Sequence, residues 1–106
     1  MNTQKRILVR HSVKTQNEKA PNNLTWIDFW KESMRREVPE ICPCCGENPN
    51  NDNPMVGAHV EKYILSLDIT PRYITPTCNN CNVTYKGIKH YKPFFVDESD
   101  LLILEE

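Results

Sequence analysis

Two pairs of cysteines have the spacing of ligands for a metal ion. Each pair follows the pattern Cys-x-x-Cys, and the pairs are Cys42 with Cys45 and Cys78 with Cys81. Two thiolates spaced in this way at a tight turn can contact one side of a tetrahedral ion at about 2.3 Å, and a second pair can complete the other side. The pattern therefore predicts one structural zinc ion with four sulfur ligands.

The residues between and around the pairs allow other choices of ligand and of metal. A fifth cysteine, Cys44, lies inside the first turn and is predicted to be a free thiol near the metal. Either Cys44 or His59 could replace one of the four cysteines as a ligand. Iron is the alternative metal, because four-thiolate iron sites use a similar Cys-Pro-x-Cys-Gly turn. A disulfide framework is disfavoured, since the number of cysteines is odd.

Length and composition favour one small domain whose modest core gains from a metal ion. The chain has 106 residues, of which 39% are hydrophobic, and its mean hydropathy is -0.61. Binding of a structural zinc ion contributes directly to the free energy of folding. No apolar run reaches the roughly 18 residues that a membrane span needs, and no signal peptide is recognised. We therefore expect a cytoplasmic protein, in a compartment where paired cysteines bind metal.

The basic residues are concentrated in two segments, although the net charge is only -1. They are Lys5, Arg6, Arg10, Lys14 and Lys19 near the N-terminus, and Lys86, Lys89 and Lys92 after the second cysteine pair. Basic clusters are typical of phosphate contact, which makes DNA or RNA one predicted partner. A protein partner is the alternative, through exposed aromatic residues at Tyr91, Phe94 and Phe95.

One amphipathic helix is predicted before the first cysteine pair. Thr25 with Asp28 three residues later is typical of a helix start, and Pro39 disfavours helical backbone at the residue before it. Four apolar residues fall on one stripe between these signals: Trp26, Ile27, Trp30 and Met34. We predict a helix from about Trp26 to Glu37, with its apolar stripe in the core.

The remaining elements are short. Strands are predicted within 7–13, at 55–60 and at 73–75, the last of them ended by Pro76, and residues 14–23 have the composition of a linker. A second helix is predicted from Asn79 or Asn80 through Lys86, before Gly87. The tail after residue 93 is predicted to form two short strands around an acidic turn at 97–100.

This order of elements predicts an α+β fold of the zinc-stabilised treble-clef type. Such a fold consists of a cysteine turn, a β-hairpin and a helix that supplies the last ligands, here preceded by the amphipathic helix. A zinc ribbon, in which the second pair lies on another hairpin, is the alternative. Residues 1–24 are predicted to be a separate basic segment, and residues 25–106 a single zinc-binding domain.

Two stretches beside the cysteines carry a family resemblance. They are Gly57-Ala58-His59-Val60 and the run from Ile74 through Thr75-Pro76-Thr77-Cys78-Asn79-Asn80-Cys81 to Asn82. Over residues 42–87 the chain resembles the zinc-containing branch of the HNH endonucleases, whose core is a ββα unit. It is also similar, over about residues 26–96, to small bacterial proteins with a tryptophan-rich helix followed by the same motifs.

The resemblance implies roles for several residues. His59 would be the general base that activates water, and Asn82 would help to hold a catalytic Mg²⁺ or Mn²⁺ ion. Ala58 stands where the family usually has an acidic ligand, and Tyr73 stands near the position of its middle asparagine. Candidates to replace the missing carboxylate are Glu61, Asp68 and His90.

These departures lead to a prediction of a degenerate catalytic site. We expect a zinc-binding, HNH-like protein with a binding role, in which nucleic acid is contacted through Lys86, Lys89 and Lys92. The alternative is an active metal-dependent endonuclease that cleaves phosphodiester bonds with His59 as the base.

Overall fold

A five-stranded antiparallel sheet organises the protein. The computed structural model describes residues 5–12, 19–63, 72–83 and 93–104. The strands are β1 (Arg6–His11), β2 (Met55–Lys62), β3 (Arg72–Cys78), β4 (Phe94–Asp97) and β5 (Leu102–Ile103). The helices are α1 (Trp26–Met34) and α2 (Asn79–Val83), with short 3-10 helices at Pro21–Asn23 and Glu98–Asp100. The fold is α+β, as predicted.

The strand order is β4-β1-β2-β3-β5, with every neighbouring pair antiparallel. β2 and β3 form the long central pair, in register from Met55 opposite Cys78 to Glu61 opposite Arg72. β1, from the basic N-terminal segment, lies inside the sheet between β4 and β2. The two predicted strands of the tail are present, but they join opposite edges of the sheet.

One face of the sheet carries a buried apolar cluster. Its buried members come from three strands and are Val9, Ala58, Val60, Phe94 and Val96. Phe94 lies directly opposite Val9, so its side chain enters this cluster and is only 7% exposed. The prediction that Phe94 is exposed was therefore wrong, whereas its neighbour Phe95 points to the other face and is 52% exposed.

The other face of the sheet carries α1. Gly57, His59 and Glu61 of β2 point to this face, since successive strand residues alternate between faces. Trp26 of α1 packs on His59, and α1 contacts β2, β3 and β5. Trp30 is fully buried, and its indole Nε1 donates a hydrogen bond of 2.9 Å to a carbonyl in the acidic turn. The predicted apolar stripe thus anchors the helix to the sheet.

The two ends of α1 differ in how well they were predicted. The Thr25 hydroxyl accepts a 3.2 Å hydrogen bond from the Asp28 N–H, as expected for an N-cap. The C-terminal prediction was wrong, because the helix ends at Met34 and not at Glu37. Arg35 adopts a left-handed conformation with φ 58°, and this local turn stops the helix before Pro39 can act.

Pro76 does not end its strand, contrary to the prediction. β3 continues to Cys78, with Pro76 opposite Gly57. The Asn79 N–H donates to the Pro54 carbonyl, and antiparallel pairing alternates in direction, so the nitrogen of Pro76 points away from β2. On that side β5 pairs only with Tyr73 and Ile74, so the sheet requires no N–H from Pro76.

Other predicted boundaries shift or lie outside the described residues. The first strand ends at His11 and the second extends to Lys62, while 21–23 of the predicted linker form a 3-10 turn. The extension of the second helix beyond Val83, and linker residues 14–18, fall in segments that the structure does not describe. In the described ranges, none of the helices is both long and apolar enough to cross a bilayer.

Candidate metal centre

The two cysteine pairs converge although they lie far apart in sequence. Cys42 and Cys45 bracket the turn that follows α1, Cys78 is the last residue of β3, and Cys81 lies in α2. The four Sγ atoms all lie within 4.8 Å of one another. The cluster is therefore a group of four that could hold a metal ion.

The spacing of the sulfur atoms fits tetrahedral coordination. The Sγ atoms of Cys42 and Cys81 are 3.9 Å apart, and those of Cys45 and Cys78 are 3.7 Å apart. Four sulfurs placed at 2.3 Å from a central ion would be about 3.8 Å from one another. A disulfide would require about 2.05 Å, so these distances belong to four free thiols around a common centre.

The first turn is closed by backbone hydrogen bonds. The Gly46 N–H donates to the Cys42 carbonyl at 2.7 Å, and the Cys42 N–H donates to the Glu47 carbonyl at 2.9 Å. Gly46 has φ 80°, a left-handed conformation that glycine adopts without strain. The predicted sharp turn is thus present, and it brings Cys42 and Cys45 to the same side.

Backbone amides point at the sulfur atoms. The Cys78 N–H donates to the Sγ of Cys42 at 3.2 Å, across two segments of the chain. The N–H of Glu47 hydrogen-bonds the sulfur of Cys45, and the N–H of Cys81 hydrogen-bonds that of Cys78. Such hydrogen bonds favour thiolates, which are the form that binds metal.

Asn53 is a member of the site that the sequence analysis did not single out. Its Oδ1 accepts a 2.7 Å hydrogen bond from the Asn80 N–H in the first turn of α2, and its side chain also hydrogen-bonds the sulfur of Cys78. Its own N–H donates to Oδ1 of Asn50 at 3.0 Å. The available signal was the position of Asn53 in a segment rich in turn-forming residues, because asparagine side chains hydrogen-bond nearby backbone groups in such turns.

The pKa values of the thiols differ because their surroundings differ. Burial raises the pKa of the Cys45 thiol to about 11. Burial, followed by contacts with the Cys44 and Cys78 thiols, also raises the pKa of Cys81. Burial acts in the same direction on Cys78, but hydrogen bonds from the Cys81 amide and Asn53 outweigh it and lower the pKa to about 7. Cys78 thus has a pKa near neutral pH, whereas the raised pKa values of Cys45 and Cys81 favour their protonated thiols unless a cation is bound.

Neither of the two alternative ligands belongs to the cluster of four. Cys44 is half-buried, packs against the apolar cluster of the sheet and lies beside the Cys81 thiol. Burial raises the pKa of Cys44. His59 is 6% exposed, and its ring meets that of Trp26 edge to face with 4.6 Å between centroids.

Within the described part of the chain, the residues with predicted catalytic roles lie on different elements. His59 lies on β2 beneath α1, whereas Asn82 is half-buried in α2. Glu61, a candidate replacement ligand, accepts a hydrogen bond from Arg10 at 2.8 Å and a longer one from Ser12. Several predicted residues lie outside the described part of the chain: Asp68, Lys86, Lys89, His90, Tyr91 and Lys92.

Comparisons with known proteins add no functional information, so a functional assignment rests on the cysteine cluster and its surroundings. No protein-family model, no curated protein and no solved structure matches this chain.

Proposed function

We propose that Cys42, Cys45, Cys78 and Cys81 bind one structural zinc ion in a treble-clef arrangement. The observation that carries the proposal is the agreement between the 3.7 and 3.9 Å sulfur separations and the edge of a tetrahedral zinc site. The first turn, the β2–β3 pair and α2 would be the three parts of that arrangement. Four thiolates complete the coordination of zinc, so the ion would have no open position for substrate.

Metal analysis of the purified protein tests this proposal. We expect about one zinc ion per chain, retained on dialysis, and no visible absorption of the kind that iron thiolates give. Cys42→Ser should lose most of the metal. Cys44→Ser is the matched control, because it makes the same chemical change in the same turn at a residue outside the cluster. Absence of a transition metal, or equal loss in both variants, would overturn the proposal.

We further propose that the domain is an HNH-like protein with a binding role and a degenerate catalytic site. Its support lies in the positions of the implied catalytic groups. His59 is nearly inaccessible beneath Trp26, Ala58 supplies no carboxylate, and the carboxylate of Glu61 is paired with Arg10. A general base must come within hydrogen-bond reach of its water, which here would require Trp26 to move.

The binding partner that we propose is nucleic acid, contacted by the basic residues. Plasmid incubated with Mg²⁺ or Mn²⁺ should remain uncut, and His59→Ala should behave like the unaltered protein. Binding to a labelled oligonucleotide should weaken steeply with salt, by a slope near one per neutralised phosphate. Cleavage abolished by His59→Ala would show that the protein is a nuclease, and binding insensitive to salt would contradict the proposed phosphate contacts.

A further inference from the structure

Part of the sheet face that carries α1 extends beyond the helix. α1 packs against β2, β3 and β5, whereas β1 and β4 continue the sheet past it. Leu8 of β1 forms a row on this face with Phe95, its partner on β4, and with Tyr63, whose N–H donates to the Leu8 carbonyl. We call the surface made by Arg6, Leu8, Arg10, Tyr63 and Phe95 the β1–β4 strip.

The β1–β4 strip presents two aromatic rings to solvent. Phe95 is 52% exposed and Tyr63 is 39% exposed. Because Phe95 on β4 and Tyr63 just after β2 flank Leu8 on its two sides, their backbones stand about 9 to 10 Å apart across the sheet. The backbone ladder on both sides of β1 holds them in this relation. Exposed rings on a rigid sheet can accept flat ligands without first ordering a loop.

Each ring has an arginine over one of its faces. The Cζ atom of Arg6 lies 6.0 Å from the centroid of Phe95, and the Cζ atom of Arg10 lies 5.7 Å from that of Tyr63. Guanidinium groups are planar, stack on rings and can donate two parallel hydrogen bonds to a phosphate. The strip therefore combines a phosphate-binding group over one face of each ring with ring surface that remains exposed to a base.

Each arginine of the strip pairs with a carboxylate on a neighbouring strand. Arg6 pairs with Asp97 at 3.8 Å, and Arg10 pairs with Glu61 at 2.7 Å. In both pairs the arginine side chain is the more exposed partner, at 63% against 34% and at 48% against 24%. Asp97 and Glu61 lie directly opposite the two arginines on the same face and orient the guanidinium groups, whose exposed edges stay open to a phosphate. Lys5 adds an exposed cation just before β1.

We propose that the β1–β4 strip binds single-stranded nucleic acid. Bases stack on Phe95 and Tyr63, and the phosphates beside them contact Arg6 and Arg10. The inference deepens the proposed binding role by naming the surface and the class of ligand, and it rests on that role. It does not depend on Lys86, Lys89 or Lys92, which lie elsewhere in the sequence.

The chemistry of the strip favours a single strand over a duplex. In a duplex the faces of the bases are buried in the base stack, and the phosphates are the main exposed groups. Phe95 and Tyr63 would then have no base to stack on. Unstacked bases can lie on aromatic rings, and this contact tolerates any sequence because every base has a π-face. A protein partner would also fit exposed aromatic residues, so the experiment must separate the two.

Fluorescence anisotropy with labelled oligonucleotides tests the proposal on the full-length protein. The probes are a single strand of thymidines about 12 nucleotides long and a blunt duplex of the same length, at about 50 mM salt. We expect Phe95→Ala and Tyr63→Ala each to weaken binding of the single strand by roughly 5- to 100-fold. Ile103→Ala is the matched control, since Ile103 is 51% exposed at the other edge of the sheet.

Arginine variants test the phosphate contacts. Arg6→Gln and Arg10→Gln should each reduce affinity and make the salt dependence shallower by about one phosphate. Arg35→Gln removes an exposed arginine at the end of α1 and should leave both quantities unchanged. Zinc content and circular dichroism of every variant establish that the fold and the cluster are intact.

Each result either supports the assignment or removes it. Stronger binding of the single strand than of the duplex, lost in the two aromatic variants and kept in Ile103→Ala, supports it. Equal binding of both probes would overturn it, as would aromatic variants that bind the single strand like Ile103→Ala. Aromatic variants that lose binding to a protein partner but still bind the oligonucleotide would also overturn it. Binding that depends on Lys86, Lys89 and Lys92 but not on Phe95 would keep the proposed role and remove only the strip. Absence of all binding would remove both and leave the zinc proposal standing.

Discussion

Asn53 illustrates how a residue that is not a ligand can set the geometry of the metal cluster. One end of its amide accepts the Asn80 N–H, and the side chain also hydrogen-bonds the sulfur of Cys78. The side chain therefore fixes the end of β3 relative to the first turn of α2. Groups in this position around metal sites commonly change metal affinity by about 10- to 100-fold when removed.

We expect Asn53→Ala to weaken zinc binding by about tenfold. Asn53→Asp keeps an acceptor for the Asn80 N–H but places a negative charge beside the Cys78 thiolate, so it should also bind zinc more weakly. Competition with a chromophoric chelator gives the affinity. Asn51→Ala, in the same turn, serves as the control. Equal affinities for the Asn51 and Asn53 variants would show that the hydrogen bond to sulfur has no effect.

Zinc affinity should increase with pH. The pKa of the Cys45 thiol is raised to about 11 and that of Cys81 is raised as well, so both thiols carry protons at neutral pH before metal binds. A ligand with a pKa above the working pH must release its proton on binding, and acid therefore opposes binding. We expect at least about a tenfold gain in apparent affinity per pH unit between about pH 6 and pH 8. Titrations at several pH values, corrected for the protonation of the competing chelator, check the slope, and a flat profile would contradict it.

At the scale of secondary-structure elements, α1 approaches β2 closely at Gly57. A Cβ atom on Gly57 would lie 2.6 Å from the carbonyl carbon of Trp26 and 2.8 Å from the backbone nitrogen of Ile27. These are backbone atoms, so the clash could be relieved only by moving the helix. The absence of a side chain at this residue therefore allows Trp26 to pack on His59.

Gly57→Ala should destabilise the metal-loaded protein by about 1 to 3 kcal/mol through overpacking. The displacement of α1 should also change the fluorescence of Trp26. Gly46→Ala is an informative comparison, because a Cβ atom added there would have no atom within 4 Å. Any loss of stability in this variant would come from the backbone strain of alanine at φ 80° in the metal-binding turn. Denaturant unfolding followed by tryptophan fluorescence measures both variants. An unchanged stability and spectrum for Gly57→Ala would contradict the close helix-strand contact.

At the scale of the whole molecule, the cysteine cluster and the apolar cluster stabilise different parts of the chain. The thiols join the 42–47 turn to the end of β3 and the start of α2. The apolar cluster joins β1, β2 and β4 through Val9, Val60, Phe94 and their neighbours. Zinc binding free energy is also folding free energy, and it acts on the segments that hold its ligands.

Removal of the metal with a chelator should lower the melting temperature and loosen the turn and α2 first. Hydrogen exchange should accelerate at the backbone amides of Cys42, Gly46 and Cys78, while amides of β1 and the adjoining part of β2 keep more of their protection. Exchange followed by NMR or mass spectrometry, with and without zinc, measures the difference. A fold and a melting temperature that chelation leaves unchanged would contradict a structural role for the ion.

The features that could be predicted from the sequence are those set by neighbouring residues. The spacing within each cysteine pair, the Thr25 cap and the turn at Gly46 depend on contacts within a few residues, and each has the local geometry expected. The early end of α1 comes from the local left-handed turn at Arg35, whereas two other errors originate in partners distant along the chain. The inward direction of Phe94 follows from its pairing with Val9, and the tolerance of Pro76 follows from the short length of β5.

The sequence by itself determined that four thiols were available in two turn-compatible pairs, because a Cys-x-x-Cys spacing is a property of a few consecutive residues. Only the tertiary structure decided which groups meet. Strand pairing placed Cys78 beside the first turn, brought Asn53 to its sulfur, buried His59 under Trp26 and aligned Tyr63 with Phe95 across β1. These contacts join residues from different segments, and their register is set by burial over the whole sheet, which no short stretch of sequence encodes.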